Sequence, residues 1–217
     1  MSLIDFFNIN NDKYKIKILS ESYQTQVVAL LSTCFYEEEP LTYYLDVSQR
    51  EYFQFITDVV KHATLDRLSL IAVDQGNNVI ACCIAENFNN PFRPDTQYYP
   101  GMVVLFDFLH TLQQNFTLLS TVKNKKILHI TMTAVDKKLH VRGISKNIDF
   151  ITCKHAAERY GFDFVYAEVT NQIRKKVIET FDIMGSSSVT YESYIVDGYQ
   201  PFNKVNGSAT AYLIPLK

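Results

Sequence analysis

The sequence predicts a mixed α/β domain around one sheet. Three observations carry that prediction. Period-2 apolar alternation and helical apolar stripes take turns along the whole chain, a turn-centred hairpin lies in its first half, and no linker-like stretch divides it. At 217 residues the chain holds one domain with a substantial core and is only marginally long enough for two. Residues 1–217 therefore read as a single domain, with 88–122 as an inserted loop and helix.

Residues 14–19 alternate and read as a first strand. Ser20 can cap the next segment, and Val27, Val28, Leu30 and Leu31 mark a helix to about residue 34. Pro40 disfavours helical geometry at Glu39, so 35–41 reads as a break. A second helix covers 48–63, with Tyr52, Phe55, Ile56, Val59 and Val60 on one face. Residues 68–74 and 79–85 form a hairpin around the turn chemistry of 75–78. Three prolines make 89–100 a loop. A helix over 102–116 follows, with 117–126 as its connection. Residues 127–135 are a strong central strand, 136–143 a basic loop, and 144–160 a helix closed by Gly161. Another strand spans 162–169 and another helix 171–184. The serines at 186–188 read as a turn before a last strand pair, 189–196 and 209–216.

Composition narrows the function classes. A formal net charge of −2 gives no footprint for nucleic acid or an anionic membrane, so neither is an expected partner. No apolar run is long enough to span a bilayer, and the N-terminal residues lack the basic and apolar regions of a signal peptide. The 4 cysteines form no CxxC pair, which with the missing leader fits reduced thiols in a cytoplasmic protein. His110, His129 and His155 lack metal-ligand spacing, so no metal is expected. Cys153 lies within a helix and reads as a structural thiol. No Gly-x-Ser-x-Gly elbow occurs.

Chemistry concentrates between residues 132 and 146. An apolar strand runs into a loop holding Lys137, Lys138, His140 and Arg142, then Gly143, and a helix starts at once. A helix N-terminus offers unpaired N–H groups and partial positive charge, which together bind phosphate. The bland alternative is a strand-to-helix turn with solvated charges.

This segment resembles the acetyl-CoA signature of the GNAT acetyltransferase superfamily: Arg or Gln, two residues, Gly, one residue, then Gly or Ala. Here it reads His140-Val141-Arg142-Gly143-Ile144-Ser145, with Gly143 the strict match. The element order over residues 14–216 is similar to that family throughout. The resemblance implies a mixed, mostly antiparallel sheet flanked by helices, with a splayed strand pair forming an acetyl-CoA cleft. It implies that free backbone groups of Thr133, Ala134 and Val135 meet the pantetheine arm, with the polarising N–H near Ala134. The backbone from Val141 to Ser145 would hold the diphosphate, and the helix starting at Asn171 would flank the cofactor. Many relatives carry a tyrosine acid on that helix; here 171–178 has none.

Phe35 to Leu41 places three carboxylates at a helix break, where like charges raise one another's pKa. The stretch Glu39-Pro40-Leu41 resembles the Glu-Pro-Leu motif of insect-type arylalkylamine N-acetyltransferases, and the run from Tyr191 to Tyr194 with Gly198 is similar to the same group. The resemblance implies Glu39 as the base for an amine, while Glu37 and Glu38 read as solvated. Those enzymes carry serines on the helix where this chain has Arg174, Lys175 and Lys176, so their substrate class does not transfer. Tyr43, Tyr44, Phe106 and Met132 are candidates for the amine pocket, although each taken singly reads rather as core.

The expected function is acetyl transfer from acetyl-CoA to a primary amine, on a small molecule or a peptide, by direct attack in a ternary complex. The amine would enter between 35–44 and the 101–116 insertion. A homodimer is compatible with the sequence. Two other readings stay open: a non-catalytic acyl-CoA-binding module, and an interaction protein using the aromatic 88–120 region.

Overall fold

The computed structural model describes residues 3–9, 12–139 and 143–216. Eight strands form one sheet: β1 (Leu3–Ile9), β2 (Asp12–Ile18), β3 (Leu70–Val73), β4 (Val79–Asn87), β5 (Ile127–Val135), β6 (Phe164–Val169), β7 (Gly185–Thr190) and β8 (Ser208–Pro215). Their spatial order is β1-β2-β3-β4-β5-β6-β8-β7. Only the β5–β6 pair is parallel among the described strands, because a helix crosses over between these two.

Six helices cover the sheet: α1 (Gln24–Glu38), α2 (Pro40–Tyr44), α3 (Gln49–Asp66), α4 (Val103–Gln114), α5 (Ile144–Tyr160) and α6 (Gln172–Ile178). Strand side chains alternate, so the sheet builds two cores. On one face α1, α3 and α4 pack against Val73, Ile84, Tyr166 and Leu213. On the other, Ile144, Ile148 and Ile151 of α5 pack against Leu70, Cys83, Ile130 and Val165.

The feature that matters most is where β5 and β6 part. They pair from Ile127↔Phe164 through Ile130↔Ala167 and no further, although β5 continues to Val135. On its other side β5 stays paired with β4 to its end, with a register shift at Ala85 that leaves Thr131 as the extra residue. A bulge sharpens local twist and bends its strand. The bend turns β5 away from β6 and opens a wedge between them, the splayed pair that the resemblance implies.

Several sequence expectations are corrected. A strand, β1, precedes the one expected first and pairs with it as an edge. The first helix continues to Glu38, four residues past its expected end, and Pro40 begins a helix of its own. The serines at 186–188 lie within β7, paired along β8 rather than in a turn, and a 3₁₀ turn over Tyr191–Ser193 ends that strand early. Helix α6 stops at Ile178 instead of 184, because the Met184 N–H is committed to the Leu213 carbonyl at 2.9 Å.

Candidate active site

The free edge of β5 forms one wall of the wedge. The Asp136 N–H donates to the Ile80 carbonyl of β4 at 2.8 Å. In an antiparallel ladder, residues two apart send their backbone groups to the same neighbour. Met132 and Ala134 therefore direct theirs to β4, while Thr133 and Val135 direct theirs into the wedge. The N–H expected from Ala134 is thus spent on the ladder, and the wedge-facing donors belong to Thr133 and Val135. The Val135 carbonyl also lies 3.5 Å from the Cys34 thiol of α1.

At the mouth of the wedge stands the N-terminus of α5. Gly143 has φ +74°, a left-handed conformation that favours glycine, and a Cβ there would meet nothing within 4 Å. Among the described residues no side chain caps the helix. Its first N–H groups, those of Ile144 and Ser145 among them, lack intrahelical partners. An uncapped helix end fits an anion. His140, Val141 and Arg142, the rest of the expected diphosphate loop, lie outside the described residues.

A polar network spans the wedge on the α5 side. Arg174 of α6 donates to Ser145 Oγ at 2.7 Å and to Thr133 Oγ1 at 3.1 Å, and its guanidinium is 2.5 Å from Asp149 Oδ2. Thr133 in turn donates to Asp149 Oδ1 at 2.8 Å. Asp149 is buried at 1% exposure, so only this pairing makes its charge tolerable there. Asn171, expected beside the cofactor, is the N-cap of α6, and its side chain accepts from the Ile173 N–H. Helix α6 carries no tyrosine, and Ile178 at its end is buried in the core.

On the opposite face lies Glu39. Preceding a proline, it takes extended geometry, φ −82° and ψ 112°, and links α1 to α2. Its N–H caps α1 through the Phe35 carbonyl, and its Oε2 caps α2 by accepting the Thr42 N–H at 2.6 Å and hydroxyl at 3.0 Å. Its Oε1 is enclosed and, among the described residues, has no hydrogen-bond partner. Burial pushes the carboxyl above its ordinary value, and the Thr42 hydrogen bonds only partly oppose this, with the Thr170 side chain nearby. Tyr52 and Tyr191 close the surroundings. Burial raises both phenols, and the nearby Glu39 charge raises them further. Tyr191 donates to the Thr170 carbonyl at 2.6 Å, just beyond β6, where the wedge is open.

Near the fork of the wedge, His129 of β5 lies between two carboxylates, 3.0 Å from Glu86 of β4 and 3.2 Å from Glu168 of β6. Both ring nitrogens face an acceptor, so the ring is an imidazolium. Burial works against that charge, but the hydrogen bonds to Glu168 and Glu86 outweigh it and raise the ring pKa to about 9. The remaining oxygens are satisfied by the Phe92 N–H at 2.7 Å and the Tyr166 hydroxyl at 2.9 Å.

The four residues expected to line the amine pocket are not gathered. Tyr43 and Tyr44 pack edge-to-face on each other, 75% and 42% exposed. Phe106 packs on Phe55 with ring centroids 5.4 Å apart, and Met132 lies against the same core. Sequence reasoning missed Tyr52 and Thr170, because only the tertiary fold brings them to Glu39, and it missed the local contact to Thr42, which an acid at an N-cap announces. Asp149 did leave a signal: an acid between Ile148 and Ile151 on a buried helical stripe demands a partner.

Among the described residues, no cluster of His, Cys, Asp or Glu is placed to hold a metal ion, and no helix is long and apolar enough to cross a membrane. All four cysteines are buried and none is in a disulfide. Two grooves, about 360 and 700 Å³, run beside β7 and are lined by neither Glu39 nor the wedge residues.

No family model matches the chain, and no curated protein matches it. Solved structures do. The chain is similar to arylalkylamine N-acetyltransferase 7 of Aedes aegypti, with TM-score 0.83, 13% identity, and coverage of 100% of this chain and 95% of that one. It is similar to arylalkylamine N-acetyltransferase 2 of the same mosquito, with TM-score 0.77, 16% identity and 94% and 99% coverage. It is also similar to a polyamine N-acetyltransferase of Drosophila melanogaster that forms N-acetylagmatine, with TM-score 0.67, 14% identity and 94% and 100% coverage. At these identities the likeness is one of fold.

Proposed function

We propose, from the premise that this chain has the fold of the GNAT acetyltransferases, that it is an N-acetyltransferase acting on a primary amine. The observation that carries the reading is the enclosed, unpartnered Oε1 of Glu39, next to Thr170 where β6 has left β5. A buried acceptor left without a donor is costly unless something else uses it.

Acetyl-CoA would supply the acyl group as its thioester. The residues that fit it are the N–H groups at the start of α5 and the wedge-facing backbone of Thr133, whose N–H would polarise the carbonyl. Lys137 and Lys138, with the loop residues His140 and Arg142, add positive charge for phosphate. Asn171 and α6 flank the arm.

An alkylammonium has a pKa of about 10.4 and must lose a proton before it can attack. Glu39 takes that proton, directly or through one water. Its raised pKa makes it a better proton acceptor than an ordinary carboxylate. The amine approaches over α2, where Tyr43 and Tyr44 are exposed, toward Tyr52 and Tyr191, with Phe106 and Met132 in the wall behind. Thiol leaves as the amide forms, and holding both substrates together lowers the entropic barrier.

The N-acetyltransferases of similar fold act on arylalkylamines and polyamines, and those are the first amines to try. The test is Glu39→Gln. Glutamine keeps the side-chain oxygen that caps α2, so the fold stays. Turnover should fall about 10²- to 10⁴-fold while the rise in melting temperature with acetyl-CoA persists. Unchanged turnover would remove Glu39 from this role.

A further inference from the structure

Beyond the fork, β5 and β6 share no ladder hydrogen bonds, so something else must hold the walls of the wedge at a fixed spacing. The described residues supply one connection on the α5 side. Arg174, in the first turn of α6, reaches across to three side chains at once: Thr133 on β5, and Ser145 and Asp149 on α5. Nη1 meets Ser145 and Asp149 while Nη2 meets Thr133, so the contacts use both prongs of a planar fork. A guanidinium can make this set of contacts and a lysine ammonium cannot, because lysine is a point charge on a flexible stem. The anchor is rigid as well: Asp149 is 1% exposed, is held a second time by the Thr133 hydroxyl, and lies among apolar residues of α5.

We propose that Arg174 is a positioning residue for the cofactor. It braces the open wedge, sets its width, and closes its α5 face so that the pantetheine arm lies against it. This rests on the acetyl-CoA reading given above. Two jobs are combined in one side chain and can be separated. Neutralising Asp149 is a matter of stability and needs only a positive charge. Spacing the wedge needs the fork.

The test is Arg174→Lys, with Arg174→Ala beside it, measured in the full chain. Lysine still pairs with Asp149, so its melting temperature should stay near that of the parent, whereas alanine strands a buried carboxylate and lowers it. In Arg174→Lys the KM for acetyl-CoA should rise about tenfold or more, as expected for losing two hydrogen bonds to a charged donor. The KM for the amine and the acid limb of the pH profile, which belong to Glu39, should not move. Amide exchange at residues 131–135 should quicken in the variant without any cofactor present. An Arg174→Lys protein with unchanged KM and unchanged exchange overturns the brace. So does a tighter acetyl-CoA KM, which would make Arg174 an obstruction. If the parent protein itself binds no acetyl-CoA, the acetyltransferase reading falls first and the cofactor role with it. That outcome is recognisable because no variant is needed to see it.

Discussion

Glu39 does two things with one carboxyl group. Its Oε2 caps α2 through Thr42, a structural use that any helix start would welcome. Its Oε1 faces an enclosed space without a partner, which capping does not explain. Burial raises the pKa, so the folded chain keeps this proton at a pH where the unfolded chain has lost it. Stability from this group is therefore greatest in acid and declines as pH rises from the ordinary carboxylate value through the raised one. Melting curves from about pH 4 to neutrality should show that decline, and Glu39→Gln should flatten it. In kinetics the same shift puts the acid limb of kcat/KM above the ordinary carboxylate range, and Glu39→Gln should abolish the limb. The break at Glu39 was legible because proline restricts the residue before it, a purely local effect. Tyr52, Thr170 and Tyr191 were not legible as its neighbours, since three separate elements bring them there.

At the scale of elements, the sheet carries a charged row across its centre. His129, Glu86 and Glu168 belong to three adjacent strands and satisfy one another. The imidazolium is held to about 9, above its unfolded value, so its stabilisation is complete below about pH 6.5 and is lost as pH rises through about 9. His129→Gln should lower the melting temperature at pH 6 and matter less at pH 10, when read as paired thermal scans. A second element prediction concerns the insertion. Phe108 of α4 is fully buried against Tyr191, Tyr194 and Phe202, with ring centroids 5.7, 5.0 and 5.1 Å away. Phe108→Ala should cost about 3–5 kcal/mol in denaturant unfolding and should loosen the tyrosine beside Glu39. Strand β5 and helix α5 were read to the residue, since strong alternation, a left-handed glycine at each end of the helix and a long apolar stripe all agree. The serines of β7 were misread because their turn preference is local, while the apolar edge of β8 recruits them into a strand. Strand β1 was missed for a like reason: it is an edge whose pairing with β2 carries the structure that its own pattern does not announce.

For the whole molecule, the account depends on one geometry: two strands part at Ile130 and Ala167, and an uncapped helix end faces the mouth of the gap. The element order foretold the fold, because alternating strand and helix patterns leave few ways to cover one sheet on both faces. The Arg174 brace was not foretold, since its partners lie on elements that meet only when the sheet forms. The most direct measurement is a thermal-shift titration with acetyl-CoA, run on the parent chain and on Gly143→Glu. Gly143 sits at φ +74° and a Cβ on it would meet nothing within 4 Å, so glutamate there places a like charge where phosphate would bind. At a ligand concentration one hundred times Kd the parent should gain about 2.7 kcal/mol, roughly 5–10 °C for a chain of this size. Gly143→Glu should lose that gain while still melting cooperatively. No shift in the parent at millimolar acetyl-CoA, or an equal shift in both proteins, would contradict the account.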